Sequence, residues 1–174
     1  MFRKGLSLVA LAVCGIAALA STAKAVDNPW ELSLAGSGQN SSRFNGVEVG
    51  GDVNIGYYFT DNIEAGVRQS LNYSDLGGVS LVASTRVALD FNIPMGDHNQ
   101  WVPFVGANIG YDYGKGVTDT WEAAPEAGVK YYLNSTTFIY GSVEYQFFFR
   151  KGSSVSGGFK DGDFVYSVGV GFRL

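Results

Sequence analysis

The last eleven residues, 164–174, read F-V-Y-S-V-G-V-G-F-R-L. Every second side chain is large and apolar: Phe164, Tyr166, Val168, Val170, Phe172 and Leu174. Between them stand Val165, Ser167, Gly169, Gly171 and Arg173. An apolar period of two is the pleat of a strand and matches no face of a helix. One face of this strand is therefore apolar with aromatic ends, and the other is mostly small and polar. Its edge carries N–H and C=O groups that a neighbour has to meet. A closed barrel meets them by pairing the last strand with the first.

The other end of the chain reads as an export signal. Arg3 and Lys4 form a basic start, residues 6–19 form an apolar run, and Ala23-Lys24-Ala25 offers a small-x-small cleavage site before Val26. We expect a signal peptide over 1–25 and one domain over 26–174. Cys14, the one cysteine, lies inside the apolar run, and lipoprotein processing there would need a small residue where Val13 stands. The domain that remains would hold no cysteine and could form no disulfide. Three of the chain's 12 basic residues fall in the signal and none of its 16 acidic ones does, so the domain is acidic. That argues against a nucleic-acid partner.

Seven more strands precede the last one, with apolar alternation over 30–38, 47–59, 63–73, 79–91, 101–113, 121–133 and 137–149. The 24 glycines, 10 tyrosines and 12 phenylalanines against 4 prolines favour strands over helices. Longer polar loops are predicted at 39–46, 74–78, 114–120 and 151–162, and tighter turns at 60–62, 92–100 and 134–136. Pro125 cannot donate a ladder bond and should mark a local defect. Eight strands in simple succession predict an all-β, eight-stranded, antiparallel up-and-down barrel. Tight turns at one end and longer loops at the other are the asymmetry of outer-membrane barrels, with both termini on the turn side.

The charges separate the two faces. The apolar phase of the eight strands holds no Asp, Glu, Lys or Arg. The opposite phase holds Glu31, Glu48, Asp52, Glu64, Arg68, Arg86, Asp90, Asp112, Glu122, Glu126, Lys130, Glu144, Arg150, Asp163 and Arg173. A soluble lipocalin-like barrel with its apolar face inward would alternate in the same way. Three features favour the transmembrane reading instead. Aromatic residues gather at strand ends: Trp30, Tyr57, Phe59, Phe91, Trp101, Tyr131 and Phe172 at one rim, and Tyr73, Tyr111, Tyr113, Trp121, Phe147, Phe149 and Phe164 at the other. Two lipid–water interfaces account for two such girdles. Many glycines lie on the polar phase, where a narrow lumen needs small residues. Several predicted strands exceed the ~9–11 residues that cross a bilayer.

The signal segment, the eight alternating strands and the ending in Val170, Phe172 and Leu174 resemble the small outer-membrane barrels of the OmpX and OmpA membrane-domain type. The resemblance is one of pattern over the whole domain, without a diagnostic motif. It implies residence in the bacterial outer membrane, contact with its lipid and lipopolysaccharide, and delivery by the barrel-assembly machinery through the C-terminal strand. That family usually ends in Phe, and here Leu174 takes that place with Phe172 two residues before it. The resemblance covers the membrane domain of the OmpA type, and the cell-wall tether of that family is not expected.

An eight-stranded barrel is just wide enough for side chains to fill it. The charged phase then predicts a paired network that plugs the lumen, with Glu64 or Glu144 meeting Arg68 or Arg86 as examples. A narrow cation-favouring path is the alternative, since acids outnumber bases. No cofactor, metal or catalytic residue is assigned, and the protein is expected to be a non-enzymatic monomer. A lipid-modifying site would need a His-dependent centre at the outer rim, whereas the one histidine, His98, falls in a turn on the other side. Asp112, Asp119, Glu122, Asp161 and Asp163 could gather at the outer mouth, and a solvated acidic rim is the plainer reading of them. Arg43, Arg150, Lys151 and Lys160 could meet lipopolysaccharide phosphates.

Overall fold

The computed structural model describes residues 27–41, 47–74, 80–115, 120–149 and 162–174. The segment 1–25 expected to be a signal peptide, the basic residues Arg43, Arg150, Lys151 and Lys160, and the acids Asp119 and Asp161 lie outside the described residues. Eight strands follow one another: β1 (Trp30–Ser41), β2 (Val47–Tyr58), β3 (Ile63–Ser74), β4 (Ser80–Asn92), β5 (Trp101–Lys115), β6 (Thr120–Tyr132), β7 (Thr137–Phe149) and β8 (Asp163–Arg173). Each pairs antiparallel with its sequence neighbour, and β8 pairs with β1 to close the barrel. The closing seam runs from Glu31 opposite Arg173 to Ser41 opposite Asp163. At its turn-side end the Leu174 N–H donates to the Trp30 carbonyl at 2.8 Å.

Several strands run further than the hydrophobic pattern predicted. β1 continues to Ser41, because both neighbours still offer partners: Asn40 faces Val47 and Phe164. β5 likewise continues past Tyr113 to Lys115, opposite Leu81. β4 takes in Asn92, whose N–H donates to the Asn62 carbonyl at 2.7 Å. Three strands stop one residue short of expectation, β2 at Tyr58, β6 at Tyr132 and β8 at Arg173. Backbone pairing, unlike the apolar period, does not end where the side chains turn polar. Pro125 faces Ala107 on one side, but the ladder to β7 is interrupted at Ala124 and Pro125, between Ala123–Phe147 and Glu126–Glu144.

The tight turns are held by side chains that replace missing ladder bonds. The Thr60 hydroxyl accepts the Ile63 N–H at 3.0 Å, and Asn134 Oδ1 accepts the N–H groups of Thr136 and Thr137 at 2.9 and 2.8 Å. The turn between β4 and β5 is longer and carries three left-handed residues, Gly96, His98 and Asn99.

The pleat sorts side chains as the charges require. In β4, Val87, Leu89 and Phe91 are exposed, while Ala88, Asp90 and Asn92 between them are buried. The same contrast separates Val168, 73% exposed, from its buried neighbours Val165 and Ser167. The outward belt of Leu34, Val53, Ile55, Leu71, Val87, Leu89, Val105, Ile109, Ile139 and Val168 contains no charge. It does contain one polar cluster. Thr85, on the outward phase yet buried, shares hydrogen bonds with Gln69 Oε1 at 2.8 Å and with the Tyr113 hydroxyl at 3.1 Å. Each hydroxyl finds a partner within the cluster, the condition on which polar groups can face hydrocarbon.

A charge introduced into this belt gives a direct check. Val53→Arg is expected to destabilise the barrel by about 2–4 kcal/mol. Asp97→Arg, in an exposed turn, should change it by less than about 0.5 kcal/mol. Urea unfolding of the two variants in lipid vesicles compares them, and equal midpoints would contradict the assignment of faces.

Candidate functional site

The lumen is the site, and two charged clusters fill it. The first lies at mid-barrel around two arginines. Arg86 Nη1 donates to Glu144 Oε2 at 2.6 Å and Nη2 to Asp52 Oδ1 at 3.1 Å, and Nε lies 3.7 Å from Glu122 Oε1. Arg68 Nη1 donates to Glu126 Oε2 at 2.7 Å and to Glu144 Oε1 at 3.2 Å, with Asp90 at 4.0 Å. Ser70 bridges Arg86 and Asp52, Ser84 donates to Glu122, and Asn108 Nδ2 donates to Glu144 at 2.9 Å. Glu144 thus joins both arginines across the barrel.

The second cluster lies nearer the turns. Lys130 Nζ donates to Glu31 at 2.8 and 2.9 Å, to Glu64 at 2.8 Å and to the Tyr58 hydroxyl at 2.9 Å. Tyr58 in turn donates to Glu31 at 3.0 Å. The ammonium is also faced by the rings of Tyr58, Phe104 and Phe138, with centroids 5.3–5.6 Å away.

The sequence pattern did not disclose those rings. The inward phase carries Tyr58, Val102, Phe104, Tyr132, Phe138 and Tyr140 on the turn side of the lumen, in addition to charges. Phe138 is completely buried and packs against Tyr132 and Tyr140, with centroids 5.1 and 6.1 Å away. Inward glycines supply the room. Gly171 lies directly opposite Phe138 and Gly128 opposite Phe104. A Cβ on either would strike the facing ring, and one on Gly110 would strike Arg86. The small residues of the polar phase therefore mark where a large side chain arches across from the next strand.

Each residue assigned from the sequence has a definite place. Asp52, Arg68, Arg86, Asp90, Glu122, Glu126 and Glu144 form the mid-barrel cluster, and Glu64 and Lys130 the turn-side one. Of Glu48 only the strand position opposite Gln39 is described, and Arg150 lies outside the described residues. Trp30, Trp101, Trp121, Phe149 and Phe172 are exposed on the outward phase. Tyr57 shares that phase but is covered by Trp30 and Phe59, with ring centroids 4.9 and 5.2 Å away. Tyr131 stacks obliquely on Trp101, and Phe147 meets Tyr145 edge-on. At the loop-side end, the Asp112 and Glu122 carboxylates lie close enough to act on each other electrostatically. Among the described residues, no three His, Cys, Asp or Glu side chains are placed to hold a metal. His98 sits at the end opposite the loops, in the turn between β4 and β5.

A closed antiparallel barrel with ion pairs inside, an uncharged belt outside and aromatic residues at both rims is a transmembrane β-barrel. Its fold is that of the small eight-stranded outer-membrane proteins. Neisserial surface protein A superposes with a TM-score of 0.65 at 11% identity, over 83% of this chain and 96% of that one. The N-terminal barrel domain of Pseudomonas aeruginosa OprF gives 0.57 at 20% identity, over 83% and 97%. The Pseudomonas aeruginosa outer-membrane protein OprG gives 0.53 at 13% identity, over 83% and 94%. No protein-family model matches the chain, and no curated protein does.

Proposed function

We propose that this chain is a monomeric, non-enzymatic barrel of the bacterial outer membrane. In this reading its lumen is sealed, and it serves envelope structure or surface interaction through its loops. The observation that carries the reading is the double closure of the lumen. The two-arginine network crosses mid-barrel, and the Lys130 cluster with Phe104 and Phe138 closes the turn side. A lumen crossed twice by buried, mutually bonded side chains leaves the loops and the lipid-facing belt as the working surfaces. The belt and girdles would meet lipid and lipopolysaccharide, and β8 would carry the signal for the barrel-assembly machinery. A lipid-modifying enzyme is disfavoured because His98 stands at the wrong end for a site on the outer leaflet.

Planar-bilayer recording tests the seal. The purified, refolded protein is expected to give no discrete conductance steps. The second reading, a narrow cation path, draws on one observation: among the described residues, eight buried carboxylates face four inward cationic groups, Arg68, Arg86, Lys130 and, at the turn-side mouth, Arg173. Reproducible cation-selective steps would establish that reading and overturn the first.

A further inference from the structure

We propose that Gln69, Thr85 and Tyr113 form a recognition point on the lipid-facing wall for an acyl chain that carries a hydroxyl or an amide, as the chains of lipopolysaccharide do. The proposal rests on the reading of the protein as an outer-membrane barrel. The three residues stand on adjacent strands, β3, β4 and β5, and on the outward phase. Their neighbours there are apolar. Val53 faces Gln69 from β2, Val67 and Leu71 flank Gln69 along β3, and Ala83 and Val87 flank Thr85 along β4.

Hydrogen bonding within the cluster leaves two groups over. Gln69 Oε1 accepts from the Thr85 hydroxyl at 2.8 Å and lies 3.4 Å from the Tyr113 hydroxyl, while Gln69 Nε2 donates to the Ser70 carbonyl at 3.2 Å. Thr85 gives its one proton to Gln69, so Tyr113 is the donor in the 3.1 Å contact between the two hydroxyls. A carboxamide nitrogen has two N–H donors, and a phenol oxygen also accepts. The second Gln69 N–H and the Tyr113 oxygen therefore have no partner among the described residues. Water would satisfy both, but hydrocarbon does not, and unmatched polar groups are costly there. The two groups belong to side chains already in contact, within the span of one bridging hydroxyl or amide. Such a group supplies an acceptor and a donor together. The ester of a plain phospholipid supplies the acceptor alone.

The cluster is open to the bilayer at the right depth. Gln69 and Tyr113 are half-buried and keep surface on the outward face, while Thr85, bonded to both, is buried. Thr85 stands directly opposite Tyr111, whose ring meets Trp121 edge-on at 5.4 Å. That aromatic pair belongs to the loop-side girdle. The cluster thus lies just inside the interface, level with the first acyl carbons and their linkage. Around it Val53, Leu71 and Val87 are exposed and stand higher than the polar groups. A single acyl chain fits between them. The convex wall of a second barrel would meet those taller side chains first, which favours lipid as the occupant.

Nuclear magnetic resonance of the refolded full-length barrel in phosphatidylcholine nanodiscs tests the assignment, with the Gln69 side-chain amide as reporter. Lipid A, a ceramide with a hydroxylated chain, and phosphatidic acid are each added at rising mole fraction. Lipid A joins amide-linked and hydroxylated chains to phosphate. The ceramide carries the amide and hydroxyls without charge, and phosphatidic acid carries the phosphate on plain ester-linked chains. Saturable shifts are expected with lipid A and the ceramide, and none with phosphatidic acid. Tyr113→Phe removes the acceptor but keeps the reporter, and should weaken the lipid A response roughly threefold to tenfold, the equivalent of one hydrogen bond. If Tyr113→Phe does not refold, the three-lipid comparison on the unaltered protein still decides. No saturable shift, a response to lipid A alone, an equal response to phosphatidic acid, or an undiminished response in Tyr113→Phe overturns the proposal. So does a shift that grows with the number of barrels per disc, the mark of a second copy. Acyl-chain contacts on the inward Val102 and Ala124 would instead sink the membrane reading on which the proposal rests.

Discussion

Arg86→Met is expected to remove about 3–5 kcal/mol from the stability of the barrel, the usual consequence of deleting one side of a buried ion pair. Arg86 is 2% exposed and stands between Glu144 at 2.6 Å, Asp52 at 3.1 Å and Glu122 at 3.7 Å. Methionine fills much of the volume but leaves three carboxylates facing one another in a space closed to water. The loss should therefore come from uncompensated charge rather than from a cavity. Arg86→Met combined with Glu144→Gln removes one of those charges and should recover part of the loss, a coupling that a double-mutant cycle measures. Urea unfolding in vesicles, followed by the fluorescence of Trp30, Trp101 and Trp121, gives the midpoints. A single variant as stable as the parent would mean that the carboxylates are compensated in some other way.

Phe138→Ala should cost a similar amount, about 3–5 kcal/mol, by the transfer and cavity terms of a buried aromatic ring. It should also change what the lumen does. Phe138 covers Lys130 from one side and packs on Tyr132 and Tyr140. Removing the ring thins the turn-side closure without touching the two-arginine network. Gly171 directly faces the vacated space, where its Cβ would have met the Phe138 ring. Gly171→Leu placed on the Phe138→Ala background should therefore restore part of the stability, while Gly171→Leu alone should destabilise by overpacking. Destabilisation of the double variant beyond either single one would show that the two residues do not share a space.

Which face of each strand is buried can be read from the residues themselves, and the reason is the pleat. Val87, Ala88, Leu89 and Asp90 alternate in sequence and alternate in space, because each strand is short, extended and paired on both sides. What alternation cannot supply is which residues meet across the lumen. Lys130 and Glu31 are separated by 99 positions, and their contact depends on the stagger accumulated around the closed sheet. Phe104 and Phe138 are hard to interpret for a related reason. An aromatic residue on the polar phase looks like an irregularity until register shows a glycine facing it, Gly128 in one case and Gly171 in the other. Gln69 and Thr85 are the converse: polar residues on the apolar phase, acceptable because they are direct cross-strand partners. Strand ends are the least readable part, since Asn40 and Asn92 pair through their backbones whatever their side chains suggest.

The most direct test of the inside-out assignment asks which methyl groups touch hydrocarbon. Matched residues on the two faces provide it: Val87 is 43% exposed and Val102 5%, and Ala127 is exposed where Ala124 is 1% exposed. In the refolded barrel in lipid nanodiscs, the methyls of Val87 and Ala127 are predicted to show intermolecular Overhauser contacts to acyl-chain protons. Those of Val102 and Ala124 should show contacts only to protein. Acyl-chain contacts on Val102 and Ala124, with none on Val87 and Ala127, would mean that the two faces of the sheet have been exchanged.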